Sequence, residues 1–392
     1  MRNSTPQPLV LCLNADVDDS TKRPKIVGMR RYAAAVGWTV VPIAQGLSHP
    51  RNIPELLSTY HPAGCIYDED ASQLPVQLRL FGDIPVVFAN GNRTRYDAVA
   101  DRVCVDSEAV ARAAYRELAS CKPTAFAVVD NPSPRPWSTT RINAFLALVR
   151  NSGLPFFAFR PRRGEDRESR IRRLGDWVAR LPRHTAIYAV NDKVALPLIA
   201  AARAARLRLP QDLTLLGTDN EEDLCEASTP RLSSIQMDFE RMGYLAARLL
   251  DERIRHVREK PVIEKVGPLL VVRRDSTRGS GRHEPYVLKA VELIRREACN
   301  GLTASELFSR AHFRGTRRLF DLRFREAMGH SPLDEILHVR LERVADLLIH
   351  TETPIGAIAA LSGFGTDREL NKLFRKRFCC TLRDWRKSHA GR

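Results

Sequence analysis

The sequence predicts a two-lobed α/β domain followed by an all-α domain that holds two helix-turn-helix units. Three observations predict it. Short apolar runs alternate with amphipathic stretches up to about residue 250. A polar, glycine-rich stretch, Asp275-Ser-Thr-Arg-Gly-Ser-Gly-Arg-His-Glu284, then breaks the pattern. From Pro285 onward the periodicity is helical, without strands and rich in Arg.

The α/β part comes first. Candidate strands lie at 9–13, 38–43, 64–67, 85–88, 125–129, 186–190 and 213–217, with helical patterns at 25–35, 107–119, 139–150, 194–206 and 241–255. Strands of four to six residues that alternate with helices imply parallel sheets covered on both faces. Nearly 250 residues are many for one open sheet, so two lobes are expected, with a break near 120–123. A last strand at 269–273 precedes the polar stretch. The boundaries read as a ligand domain at 1–275, a linker at 276–284 and a helical domain at 285–392.

The helical domain has room for about seven helices. Ser331-Pro332, with Asp334 and Glu335 behind it, is an N-cap followed by Pro at the first helical position. It opens a helix of roughly 18 residues, about 27 Å long at 1.5 Å per residue. Such a helix can hold two recognition helices in successive major grooves, about 34 Å apart. On one side, 303–308 is a positioning helix and Thr316 caps a recognition helix with Phe320 and Phe324 inward. Arg317, Arg318, Asp321 and Arg325 are left for its polar faces. On the other side, 354–364 is a short helix closed by Gly363. There Thr366 caps a helix with Leu370, Leu373 and Phe374 inward and Asp367, Arg368, Asn371, Lys372, Arg375 and Lys376 outward. Arg forks onto guanine O6/N7 and Asn pairs with adenine N6/N7, so both belong on a base-reading face. The other basic residues suit phosphates. A bundle with solvated arginines is the competing reading of any one of them.

These residues resemble the DNA-binding domain of the arabinose-operon regulator (AraC) family. The match covers Gly329-His-Ser-Pro332, Arg340-Leu-Glu-Arg343, Leu347-Leu348, Ile358-Ala359, Gly363-Phe364, Phe374-Arg-Lys-Arg-Phe378 and Trp385-Arg386. The sequence departs from that family at Gly315, where an apolar residue is usual, at Cys379, where Gly is usual, and at Leu382, where Pro is usual. The resemblance implies binding to double-stranded DNA.

In the α/β domain, polar residues gather at the carboxyl ends of the predicted strands, where open α/β sheets bind ligands. Asn14 and Asp68 end strands of the first lobe. Asn191-Asp192 and Asp219-Asn220 end strands of the second. Trp137 and Arg141, one helical turn apart, follow the strand at 125–129. An aromatic plane with carboxylates, amides and a guanidinium suits a sugar, which offers an apolar C–H face and vicinal hydroxyls. The candidate ligand set is Asn14, Asp68, Trp137, Arg141, Asn191 and Asp219. Helix capping by Asp192 or Asp219, and core packing of Trp137, are the alternatives. Residues 8–275 resemble the lactose-repressor and periplasmic sugar-binding fold, with Ser234-Ile-Gln-Met-Asp-Phe239 and Leu270-Val-Val-Arg-Arg-Asp-Ser-Thr277 among the matching stretches. Met237 stands where that family often has a polar ligand contact. The domain order, with Trp137-Ser-Thr-Thr-Arg141 and Arg241-Met-Gly-Tyr-Leu-Ala-Ala-Arg-Leu-Leu250, resembles the xylose-operon regulators. That resemblance implies D-xylose as effector, transcription activation, a homodimer and contact with RNA polymerase. A regulator of another sugar, or a sugar-binding module without a regulatory role, are the alternatives.

Charge and cysteine content narrow the class. Formal net charge is +16, which favours a polyanionic partner. Residues 282–392 hold 21 Lys+Arg against 14 Asp+Glu, net +7, and are about twice as basic per residue as the rest. Eight scattered cysteines, without a C-x-x-C pair, argue against a zinc site and for reduced thiols in a cytoplasmic protein. No segment of about 18 apolar residues is present, so no membrane span is expected. Paired acid/base carboxylates and a phosphate loop are missing from the sequence, so neither an enzyme nor a cofactor or metal is expected.

Overall fold

The computed structural model describes residues 7–69, 76–89, 99–132, 135–160, 162, 164–257, 260–277, 285–351 and 353–389. Its first part is two six-stranded sheets. The strands are β1 (Leu9–Leu13), β2 (Thr39–Ile43), β3 (Gly64–Asp68), β4 (Val86–Ala89), β5 (Asp101–Val105), β6 (Ala125–Val129), β7 (Phe156–Phe159), β8 (Thr185–Ala189), β9 (Leu213–Thr218), β10 (Ser233–Met237), β11 (Ile263–Val266) and β12 (Pro268–Val272). The helices between them are α1 (Arg23–Val36), α2 (Ile53–Tyr60), α3 (Ser107–Ala119), α4 (Pro136–Arg150), α5 (Arg167–Ala179), α6 (Asp192–Ala204), α7 (Glu222–Ala227) and α8 (Phe239–Ile254).

The first sheet runs β2-β1-β3-β4-β5-β11 and is parallel throughout. The second runs β7-β6-β8-β9-β10-β12, and its last strand alone is antiparallel to its neighbour. Strands β1, β6, β8 and β9 are nearly continuous apolar runs and are buried along their length, as strands covered on both faces must be.

The chain crosses between lobes three times: at Asp106 between β5 and α3, at Asp238 between β10 and α8, and at Gly267 between β11 and β12. The expected break at 120–123 is therefore corrected to Asp106. Helix α3 buries Val110, Ala111, Ala114 and Leu118 and packs on α4 and the second sheet, so it already belongs to lobe 2. The first residues of the expected linker also move. Ser276 and Thr277 are buried in lobe 2, where Ser276 Oγ donates to the Leu215 carbonyl and Thr277 Oγ1 pairs with Ser233 Oγ. The rest of that linker, 278–284, lies outside the described residues.

Helices α1 and α8 cross closely in lobe 1. A Cβ on Gly28 would come within 1.9 Å of the Glu240 carbonyl oxygen, and one on Gly243 within 1.9 Å of the Lys25 carbonyl oxygen. Only glycine permits that approach.

The second part comprises α9 (Pro285–Glu297), α10 (Ala304–Arg310), α11 (Arg317–Met328), α12 (Pro332–His350), α13 (Ile355–Leu361), α14 (Asp367–Phe378) and α15 (Leu382–His389). Three predicted caps form. Thr316 accepts from the Leu319 amide, Thr366 from the Glu369 amide, and Ser331 closes a capping box with Asp334. Two cores share α12. Ile336, in its first half, joins Val287, Ile294, Phe320 and Phe324; Leu341, Val344, Leu347 and Leu348, further along, join Ile358, Phe364, Leu370 and Phe374. Cys379 takes the left-handed C-cap of α14, with φ 59°, and its amide donates to the Arg375 carbonyl. It thus does the work of the glycine usual there.

Candidate ligand cleft and nucleic-acid interface

The carboxyl ends of both sheets face one cleft. On the lobe 1 side, Asn14 follows β1 in a left-handed conformation (φ 61°) and is fully buried. Its Nδ2 donates to the Asp68 carbonyl oxygen (2.5 Å), and its Oδ1 accepts from Lys22 Nζ (3.1 Å). Asp68, the last residue of β3, receives Lys25 Nζ on Oδ2 at 2.5 Å. Burial pushes the Asp68 carboxyl up, against the opposing pull of Lys25. Asp68 Oδ1 is buried without a hydrogen-bond partner.

On the lobe 2 side, Arg141 projects from α4 and is buried. Its Nη1 donates to the Val190 carbonyl (2.7 Å), its Nε has no hydrogen-bond partner, and its guanidinium lies 4.7 Å from the Trp137 ring centroid. Trp137 is half-buried. Asn191 caps α6 through the Val194 amide, while its Nδ2 donates to Asn131 Oδ1 (3.1 Å). Asp219 follows β9 with φ 98°. Burial raises its carboxyl to about 6, with Glu221 adding to the shift and Arg141, Lys193 and Lys25 opposing it. Lys25 belongs to lobe 1 and Asp219 to lobe 2, so the two sides sense one another's charge. They also meet at Ser20, whose Oγ donates to Glu221 Oε2 (3.1 Å).

All six residues expected in the cleft therefore lie at strand ends or on α4 beside them. Asp192, also at a strand end, is a brace. Its carboxylate accepts from Ser234 Oγ, the Glu221 amide and Cys225 Sγ, and burial raises it to about 7. Met237 is buried core; its neighbour Gln236 accepts from Asn220 Nδ2 (2.7 Å). The sequence reading missed Lys22, Lys25 and Asn131. The available signal was two lysines three apart at the start of α1, an end where a helix favours acidic residues.

In the helical domain, Arg317, Arg318 and Arg325 are exposed on α11 and Asp321 is half-buried. Arg317 Nη1 donates to Ser305 Oγ of α10 (2.5 Å), tying the recognition helix to its positioning helix. On α14, Asp367, Arg368, Asn371, Lys372, Arg375 and Lys376 are all exposed beside the cap Thr366. Asn371 Nδ2 donates to the Asp367 carbonyl (2.8 Å). At the turn before α14, Gly363 (φ 76°) would place a Cβ 2.7 Å from the Ala298 carbonyl oxygen, which fixes the second unit against the first.

Residues 116–277 match the Periplasmic binding protein-like domain family, and residues 311–388 match a Helix-turn-helix domain family. The Xylose operon regulatory protein of Escherichia coli (strain K12) is 28% identical over 331 residues, 82% of this chain and 83% of the relative. Its counterpart in Haemophilus influenzae is 27% identical over 254 residues, 64% and 65% of the two chains. A solved structure described as the xylose-binding transcription activator xylR superposes with a TM-score of 0.59 at 24% identity, over 99% of this chain and 100% of that one. Among the described residues, no helix is long and apolar enough to cross a membrane. With a periplasmic-binding-like domain followed by a helix-turn-helix domain, and most of the length of either chain aligned, this chain is similar to the xylose operon regulatory proteins.

Proposed function

We propose that the chain is a sugar-gated transcription regulator with a pentose effector, D-xylose before others, and that it activates the genes it controls. One observation carries the ligand class. Asp68 Oδ1 and Arg141 Nε are buried polar atoms on opposite lobes, each without a hydrogen-bond partner. Leaving such groups unmade costs about 1–3 kcal/mol each, more when charged. A ligand that both accepts and donates, as a vicinal diol does, satisfies both. Trp137 supplies the aromatic plane for its C–H face, and Asn14, Asn191 and Asp219 supply further partners. The names of the relatives point to xylose.

The effector domain in this reading runs to Thr277 and the DNA-binding domain starts at Pro285. The chain works as a cytoplasmic homodimer on double-stranded DNA and, as an activator, touches RNA polymerase. Recognition helices α11 and α14 read successive major grooves through the residues named above, from Thr316 to Arg325 and from Thr366 to Lys376. No catalytic step is assigned; the relatives are regulators.

A thermal-shift screen of the full chain against pentoses and hexoses tests the effector. A sugar at 100 times its Kd should stabilise the folded chain by about 2.7 kcal/mol. Selective stabilisation by D-xylose is expected. Stabilisation by a hexose alone would replace the effector, and no response to any sugar would overturn the reading.

A further inference from the structure

The helical domain rests on both lobes of the ligand domain, by two contacts of different chemistry. Its first unit shares a core with lobe 2. Leu270 and Val272 of β12, the edge strand of that sheet, are buried in the same cluster as Val287, Ile294, Phe320 and Phe324. That contact is apolar. The contact with lobe 1 carries an ion pair. Arg241 of α8 places Nη1 2.6 Å from Glu342 Oε1 of α12, and His338 Nε2 lies 3.3 Å from the same oxygen. Burial works against the Glu342 charge, but His338 and Arg241 hold the carboxyl down at about 2.

Between the two contacts lies a crossover. Arg295 of α9 forks onto Asp238, Nη2 to Oδ2 at 2.6 Å and Nη1 to Oδ1 at 2.8 Å. Asp238 is the residue at which the chain passes from β10 to α8, and it caps α8 through the Arg241 amide. The domain is thus pinned at the pivot and touches one lobe on either side of it. Periplasmic-binding-like lobes move as bodies about such crossovers when a ligand closes them. A rotation of lobe 1 about Asp238 leaves the β12 contact in place and shifts Arg241, one turn along α8 from the pivot, against Glu342.

We infer that Arg241 is a positioning residue that couples lobe closure around the sugar to the placement of α12, through Glu342. The inference rests on the sugar-gated reading above. Helix α12 holds both helix-turn-helix units, so its placement sets where both present their reading faces. Of the two seats, the ionic one is the one that a small displacement breaks, because an ion pair loses its geometry within an ångström or two. The apolar one tolerates sliding.

The test uses the full chain and two readouts. Sugar affinity is measured by calorimetry, and DNA affinity is measured with and without saturating sugar. Coupling between two sites ordinarily spans about 5- to 150-fold. In Arg241→Glu and in Glu342→Arg the sugar-induced change in DNA affinity should fall to less than about 2-fold, with sugar affinity held within about 3-fold. The double exchange Arg241→Glu with Glu342→Arg should restore the coupling, and loss of coupling in the single variants at unchanged sugar affinity and thermal midpoint separates this role from a merely structural one. Should Arg241→Glu fail to fold, Glu342→Gln, which leaves the ligand domain untouched, gives the same readout. Wild-type coupling in the single variants, or no rescue by the exchange, overturns the inference while the sugar reading stands. Failure of the wild-type chain to bind any sugar overturns both, and the calorimetry alone distinguishes the two cases.

Discussion

The Arg141 guanidinium stacks on Trp137 at 4.7 Å, one turn back along α4, while Nη1 is held by the Val190 carbonyl. The stack and the backbone bond leave a guanidinium whose orientation is set before any ligand arrives. Fixing a rotamer-rich side chain in advance removes an ordering cost of about 0.5–1.5 kcal/mol from binding.

Arg141→Ala and Asp219→Ala should each abolish the sugar response and leave DNA binding without sugar intact. Removing one charged partner from a buried hydrogen-bonded set costs about 1.5–3 kcal/mol, roughly 10- to 100-fold in affinity. Calorimetry on both variants checks this. Unchanged sugar affinity in both would remove these residues from the site.

Sugar affinity should depend on pH through Asp219. Its carboxyl is raised to about 6, chiefly by burial. Hydroxyls donate to the ionised carboxylate, so binding favours the charged form. Affinity should hold above about pH 7 and weaken as pH falls through 6, by up to about tenfold per unit. Proton release on binding near pH 6, measured by calorimetry in buffers of different ionisation heat, would confirm the sign. Asp219→Asn should flatten the profile.

Arg368→Ala and Lys376→Ala should behave differently, though both side chains are exposed on α14. Arg368 sits at the N-terminal end of the helix. Its loss should cost about 1–3 kcal/mol at the specific site and relax preference at one base. Lys376 sits toward the other end. Its loss should weaken all sequences alike and lower the salt slope by about one. A binding series at several salt concentrations separates the two, and reversed behaviour would turn the helix face around.

Asp346 of α12 is buried against lobe 1, with Oδ2 unpartnered. Burial raises its carboxyl from 3.8 to about 8, despite the opposing pull of Arg31 and Arg241. Between those values the folded chain keeps a proton that the unfolded chain has released. Stability from this group is therefore full below about pH 4 and falls as pH rises towards 8. Asp346→Asn should raise the thermal midpoint at pH 8 and leave it unchanged near pH 4. Equal shifts at both values would show that the carboxylate is not the cause.

The sequence announces those parts of the fold in which one physical cause dominates. Strands β1 and β6 are apolar throughout and β9 nearly so, and Ser331, Thr316 and Thr366 stand where helix amides need acceptors. Strand β5 escaped because it opens on Asp101 and Arg102, both buried. Its Asp101 is compensated by Arg253 at 2.8 Å, far along the chain. The edge strand β11, Ile-Glu-Lys-Val, and the four-residue β7 are too short or too polar to register. In the cleft, Asp219 was legible from its place after β9 and Arg141 from its spacing of one helical turn from Trp137. Lys25 was not, because nothing local reveals that Asp68, 43 residues on, will neutralise it. The lobe exchange at Asp106 was hidden for a similar reason: α3 looks the same whichever sheet it covers.

Helix α12 lends one half to each of two cores, and this bears on how such a protein can change over time. Neither reading unit is a separable module. A fragment ending before α12 strips Ile336 from Phe320 and Phe324, and one beginning after it leaves Ile358 and Phe374 facing water. A unit copied or exchanged without α12 would leave its core open. The interval between α11 and α14 is spanned by α12, a rod of 19 residues, and the short α13 that follows it. If α11 and α14 read DNA as proposed, the spacing of the two half-sites follows that interval, and the bases inside each follow the exposed residues of the two helices.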